Sequence, residues 1–276
     1  FTGGSNGTSL VITLNSSADA TTVTALVKNI TYANTDTAAP TTGARTVRYV
    51  LTDGDGATST NYDTTVTVSA VNDVPTFGVG DGKATTSFGP GWEFGKETIL
   101  QPDGKILVAG YSDSGGSDDF SLARYNVDGT LDTSFGGGDG IAVAGIVGRA
   151  ETAVLQADGK IVLSGYTTNG GYQVCLVRFN TNGTLDTSFG GGDGIASSGV
   201  YGSAKDIGLQ TDGKFLVAAD LSNNNFNLMR FNSDGSLDTG FGSGPGYVST
   251  DFAGGSDRAD SLTIQSDGKV LLAGFG

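Results

Sequence analysis

Histidine is absent from this sequence and cysteine occurs once. Those two shortages exclude imidazole acid–base catalysis, zinc sites built from His or Cys, Cys–His nucleophile pairs and any disulfide within the chain. Cations are also scarce, with 15 Lys and Arg against 29 Asp and Glu and a formal charge of −14. Such a surface repels phosphate backbones and anionic headgroups, so nucleic acid is not expected as a partner. No apolar run reaches the about 18 residues of a membrane helix, and the first residues lack the charged and apolar regions of a secretory leader. No membrane insertion is expected. Glycine is plentiful instead, at 46 of 276 residues, which argues against a long helical bundle. Acidic charge, little Lys and abundant Gly, Thr, Ser, Asn and Asp suit an extracellular protein that folds without disulfides, at a bacterial surface or secreted. Residue 1 is Phe, and both ends are expected to fall inside structural units of a longer polypeptide.

Two regions with different periodicities follow one another. Over residues 1–75, Ser9 to Leu14, Thr46 to Thr52 and Thr64 to Val71 alternate apolar and polar residues, the pattern of half-buried strands in a small β-sandwich. Between the first two, Val23, Leu26, Val27 and Ile30 stand at helical spacing behind Ser17 or Asp19 as N-cap, predicting one short helix. Residues 76–276 repeat themselves. Gln-x-Asp-Gly-Lys begins at Gln101, Gln156, Gln210 and Gln265, at spacings of 55, 54 and 55. A second block, Arg124 to Gly136, returns at Arg178 to Gly190 and Arg230 to Gly242.

Each repeat parses into four short strands, in the second copy Thr152 to Gln156, Lys160 to Tyr166, Gln173 to Asn180 and Gly194 to Ser198. Asp158-Gly159 between two apolar runs predicts a two-residue type I′ hairpin. Four antiparallel strands in about 55 residues describe a β-propeller blade, with a linear β-solenoid as the alternative. The repeated region holds about 3.6 such units and stops within a blade, fewer than the roughly 4 to 8 that close a propeller. Further repeats of the same chain, or other copies of it, are expected to complete the sheet. The fold class expected is therefore all-β, a partial sandwich with one short helix followed by propeller blades.

The unit Gln-x-Asp-Gly-Lys followed by Arg-Tyr/Phe-Asn and Thr/Ser-Leu-Asp-Thr resembles the delta-60 repeat of large bacterial surface proteins, over residues 77–276. The first region resembles the C-terminal part of a bacterial cadherin-like domain in Asn29-Ile-Thr-Tyr-Ala-Asn34, Tyr49-Val-Leu-Thr-Asp-Gly-Asp-Gly56 and Val71-Asn-Asp-Val-Pro75. These resemblances imply a very large exported adhesin of the kind associated with type I secretion and calcium. They also imply Asp53, Asp55, Asn72 and Asp73 as ligands of Ca²⁺. The residue types fit, because Ca²⁺ takes 6 to 8 oxygen ligands and Gly54 and Gly56 permit a tight turn. The alternative for these four is an Asx-type turn and a solvated linker.

Other candidates come from the repeats. Arg124, Arg178 and Arg230 each share a strand face with two apolar residues, and a buried guanidinium needs a partner. The expected partner is the Asp eight residues on, Asp132, Asp186 or Asp238, or the intervening turn, in bidentate geometry as a structural latch. Trp92 and Tyr201 occupy equivalent positions nine residues before a repeat glutamine and are the candidates for stacking on sugar rings. Asp139 and Asp193 sit in glycine loops, Cys175 reads as an unreactive thiol, and adjacent Asp118 and Asp119 point to opposite faces of a strand, which disfavours a paired acid and base. Taken together, a non-enzymatic structural or adhesion module is expected, with other domains of its own polypeptide, other copies, or cell-surface glycans and proteins as partners. A lectin-like propeller is the alternative, and a polysaccharide-directed enzyme the third reading.

Overall fold

A computed structural model describes residues 82–276 apart from 114 and 253, and before them residues 10–14, 18, 19, 21, 23, 24, 26, 43–50, 57–60 and 62–68. The chain divides into two compact units, Phe1–Pro75 and Thr76–Gly276.

In the first unit, β1 (Gly43–Tyr49) and β2 (Tyr62–Val68) pair antiparallel. Arg48 stands directly opposite Asp63, and their side chains meet through two hydrogen bonds of 2.8 Å. Both strands begin earlier than their sequence patterns predict. The pattern over Ser9 to Leu14 gives only a single bridge at Val11 among residues 10–14. Thr21, Val23, Thr24 and Leu26 are helical, and the Val23 amide donates to the Asp19 carbonyl at 3.0 Å, so the described part of the expected helix forms. Ser17, Val27 and Ile30 lie outside the described residues.

In the second unit the strands are β3 (Glu93–Leu100), β4 (Ile106–Asp113), β5 (Asp118–Tyr125), β6 (Ile141–Leu155), β7 (Ile161–Thr167), β8 (Gln173–Phe179), β9 (Ile195–Leu209), β10 (Phe215–Leu221), β11 (Phe226–Phe231) and β12 (Tyr247–Thr250). They hydrogen-bond in sequence order as one antiparallel ten-stranded sheet that does not close, and a hairpin of β13 (Arg258–Ile264) and β14 (Val270–Phe275) follows. The sheet is three four-stranded blades in series, because β6 and β9 each serve two of them. The first part of β6 is the outer strand on β5, and the rest is the inner strand against β7. The expected breaks between blades are thus corrected: Gly145 and Gly199 bend these strands at φ 72° and 71° without ending them.

Side chains leave a strand on alternate sides, and here both sides are covered. Cys175, Val177 and Phe179 pack with Phe120 and Leu122 of the first blade, while Val174 and Leu176 pack with Met229 and Phe231 of the third. This is why the strands read as near-continuous apolar runs such as Val-Cys-Leu-Val rather than as simple alternation. Full burial of each such side chain stabilises by about 1.5–3 kcal/mol.

The hairpin at Asp158-Gly159 differs from the expected type I′ turn. Gln156 bonds Lys160 and accepts from the Gly159 amide, and only Gly159 has positive φ, at 82°. The loop is three residues long, a turn followed by a left-handed glycine. The Asp158 carboxylate accepts from the Lys160 amide at 3.1 Å, an arrangement repeated at Asp103, Asp212 and Asp267.

Candidate functional site

The repeated Arg and Asp meet in every blade. Arg178 Nε donates to Asp186 Oδ2 at 2.6 Å, Arg124 to Asp132 at 2.7 Å and Arg230 to Asp238 at 2.8 Å. β8 delivers Arg178, and the chain then turns back so that the Asp186 amide donates to the Arg178 carbonyl at 2.9 Å. The pairing is not bidentate as expected. The guanidinium forks instead: Arg178 Nη1 reaches the Ser233 carbonyl of the third blade at 2.8 Å, and Arg124 Nη1 reaches Thr181 of the second at 2.7 Å. Arg124 and Arg178 therefore each tie their own loop to the next blade, a clasp rather than a latch within one repeat.

Several parts of the clasp were missed in the sequence. The lysine of Gln-x-Asp-Gly-Lys joins it, since Lys105, Lys160 and Lys214 donate to Asp132, Asp186 and Asp238 at 2.7–2.8 Å. The signal was present, because the turn itself asks only for Asp-Gly while all four copies continue with Lys. Ser134 and Ser188 donate through hydroxyl and amide to the other carboxylate oxygen. Phe135, Phe189 and Phe241 lie beneath the guanidinium carbons at 4.3–4.4 Å. Phe135 and Phe189 are fully buried against a glycine turn of the next blade. A Cβ on Gly235 would stand 2.7 Å from Phe189 Cζ, and one on Gly183 would stand 2.7 Å from the Gly136 nitrogen, so this turn admits only glycine.

The electrostatics keep the clasp ionised. Burial alone would raise the Asp132 and Asp186 carboxyls, but lysine, serine and the arginine together outweigh it and hold both well below the usual carboxylate range. Asp238 is lowered chiefly by Lys214, against burial, with help from Arg230 and the Gly240 amide. A folded-state pKa below the unfolded value gives stability that is complete above about pH 4 and is lost as pH falls through the folded value. With no histidine, urea midpoints are expected to stay level from pH 8 to about 6 and to fall below about pH 4. Asp186→Asn should flatten that acid slope, and an unchanged slope would show that the clasp carboxylates do not set it.

At the opposite end of the blades a second tie crosses the first junction. Arg149 bonds Asp118 at 2.6 Å and stacks on Tyr111 at 4.8 Å. Asp119 accepts from the Ile146 amide at 3.0 Å, and burial raises its carboxyl. Asp118 and Asp119 thus engage separate partners. Each inner strand also carries a bulge, at Lys96, Glu151, Lys205 and Asp260, where the extra residue is charged with alternating sign. Lys96 pairs with Glu151 across the first junction at 2.9 Å.

The remaining candidates stay apart. Trp92 and Tyr201 are exposed at 72% and 59%, and Val147, which takes the equivalent place between them, at 39%. Asp139 and Asp193 accept from their own loops, at the Ile141 and Ile195 amides. Asp53, Asp55, Asn72 and Asp73 lie outside the described residues. Cys175 is fully buried, and burial pushes its thiol up to about 12. It should resist a disulfide reagent in the native protein and react once in 6 M guanidinium; fast native reaction would contradict its burial.

Three segments of the chain, residues 101–135, 156–189 and 210–241, match the family described as a domain of unknown function (DUF5122), beta-propeller. This is a propeller-like repeat protein. Each match opens at the glutamine of Gln-x-Asp-Gly-Lys and closes on the clasp phenylalanine, so the propeller-like unit is bounded by the parts that join blades. No curated protein matches the chain.

Proposed function

We propose that the chain is a non-enzymatic structural and adhesion module of a large bacterial surface or secreted protein, in which a cadherin-like sandwich carries delta-60 propeller blades. The observation that supports this reading best is the clasp. In the first two blades the repeated ionisable residues join one repeat to the next, so the repeated chemistry goes into holding an array together rather than into one reacting centre. Other segments of the same polypeptide, other copies, or surface glycans and proteins are its partners. Beads coated with the chain should be retained under flow on a cell-surface extract, and a polysaccharide panel should release no reducing ends. Turnover that disappears in Asp119→Asn would replace this reading with an enzyme.

Calcium belongs to the same proposal through Asp53, Asp55, Asn72 and Asp73. A ligand at 100 times its Kd stabilises the native state by about 2.7 kcal/mol. A chelator should therefore lower the melting midpoint of the region up to Pro75, and an unchanged midpoint would remove calcium from it. The second reading is carbohydrate binding, favoured by the exposure of Trp92 and Tyr201 at equivalent positions. Glycan-array signal lost in Trp92→Ala or Tyr201→Ala would support it, and an array without signal would reject it.

A further inference from the structure

We propose that the end of the blades opposite the clasp is a binding face for neutral polysaccharide chains, with subsites at the two junctions that flank the second blade. The inference rests on the carbohydrate reading and gives it a place, residues and a ligand class. Exposed aromatic side chains are not scattered over the repeats. Trp92, Phe94, Tyr172, Tyr201, Phe252 and Phe275 all lie at the end where the inner strands begin, either in the first turns of a blade or opposite them in register. At the clasp end the exposed large apolar residues, Leu100 and Val127, are aliphatic.

Polar groups are already set at this end of both junctions. At the junction with the first blade, Tyr201 stands opposite Gln173, with its ring against the backbone of Gly171. The Gln173 amide is fixed at both ends, donating to the Gly170 carbonyl at 2.9 Å and accepting from Ser197 Oγ at 2.6 Å. One of its N–H groups remains for a ligand. At the junction with the third blade, Tyr172 leans on Tyr166, with ring centroids 4.4 Å apart. Tyr166 stands opposite Val174 in register, on the side of the sheet that packs on the third blade. The third blade turns Asn225 and Asn227 to the same junction. Asn223 and Asn225 both donate to Ser249 Oγ at 3.0 Å, and Asn223 and Asn227 exchange bonds of 2.9 Å.

A ring face beside ordered amides and hydroxyls fits a sugar, which offers C–H groups on one side and hydroxyls at its edge. Groups held in place before binding lose little freedom on binding. The net charge of −14 disfavours a polyanion and leaves the neutral chains. Successive junctions would take successive parts of one chain.

Affinity electrophoresis of the whole chain tests this, in gels containing hydroxyethylcellulose, mixed-linkage β-glucan, galactomannan or hyaluronan. At least one neutral polymer should retard the protein and hyaluronan should not. Tyr172→Ala, Tyr201→Ala and Asn225→Ala should each weaken the retardation about tenfold, with melting midpoints unchanged for the two exposed tyrosines. Retardation by none of the neutral polymers would overturn both this inference and the carbohydrate reading. Retardation lost in Trp92→Ala but untouched by the three variants would overturn the inference alone. Retardation by hyaluronan equal to that by the neutral chains would reject the ligand class.

Discussion

Replacing Arg178 with methionine is expected to lower the stability of the repeat region by about 3–5 kcal/mol, the range for removing one partner of a buried ion pair. Arg178 is 7% exposed, and its guanidinium donates to Asp186, to Ser188 and to the Ser233 carbonyl of the next blade. Methionine fills much of the volume and makes none of these bonds, so Asp186 keeps only Lys160 as a counter-charge and Ser233 loses a donor. For a region of this size the melting midpoint should fall by roughly 10 °C. Two comparisons make the expectation specific. Arg230→Met should cost less, because Arg230 bonds no following blade among the described residues and its side chain is 27% exposed. Lys269→Met, at a side chain 77% exposed, should stay within about 0.5 kcal/mol. Equal losses at all three positions would mean that Arg178 is solvated in solution.

Phe189→Ala should cost a similar amount, about 3–5 kcal/mol, through a different route. The ring is fully buried, carries Arg178 on one face at 4.3 Å and meets Phe215 edge-on at a centroid distance of 6.2 Å. Truncation leaves a cavity at the junction of the second and third blades and removes the surface on which the guanidinium rests. Gly235→Ala attacks the same contact from the third blade, since the added methyl would press on Phe189 at a backbone φ of 89°. Chemical unfolding of the two variants checks both, and a loss below about 1 kcal/mol in Phe189→Ala would show that the junction closes without its ring.

Much of this is legible in the sequence alone. The period of Gln-x-Asp-Gly-Lys fixed the repeat, and the eight-residue spacing of Arg124 and Asp132 is short enough for one loop to bring them together. What escaped lay across long separations. The acceptors on Thr181 and Ser233 are backbone carbonyls 57 and 55 residues from their arginines, and a carbonyl has no residue type to read. The charged bulges are one-residue insertions that become visible only against the partner strand, as at Lys96 between Gly95 and Glu97. The strand expected over Gly194 to Ser198 continues to Leu209 through Gly199, whose positive φ bends the chain without ending its pairing. Gln173 and Ser197 carry no pattern at all; they meet because β8 and β9 pair.

The most direct test of the clasp as the bond between blades is hydrogen–deuterium exchange in the Arg178→Met variant, followed by mass spectrometry. Amides of the third-blade turn at residues 232–236 should exchange faster together with those of the second-blade loop at 186–194, because the side chain ties the two. Faster exchange confined to the second blade, with residues 232–236 as protected as in the unaltered protein, would contradict it.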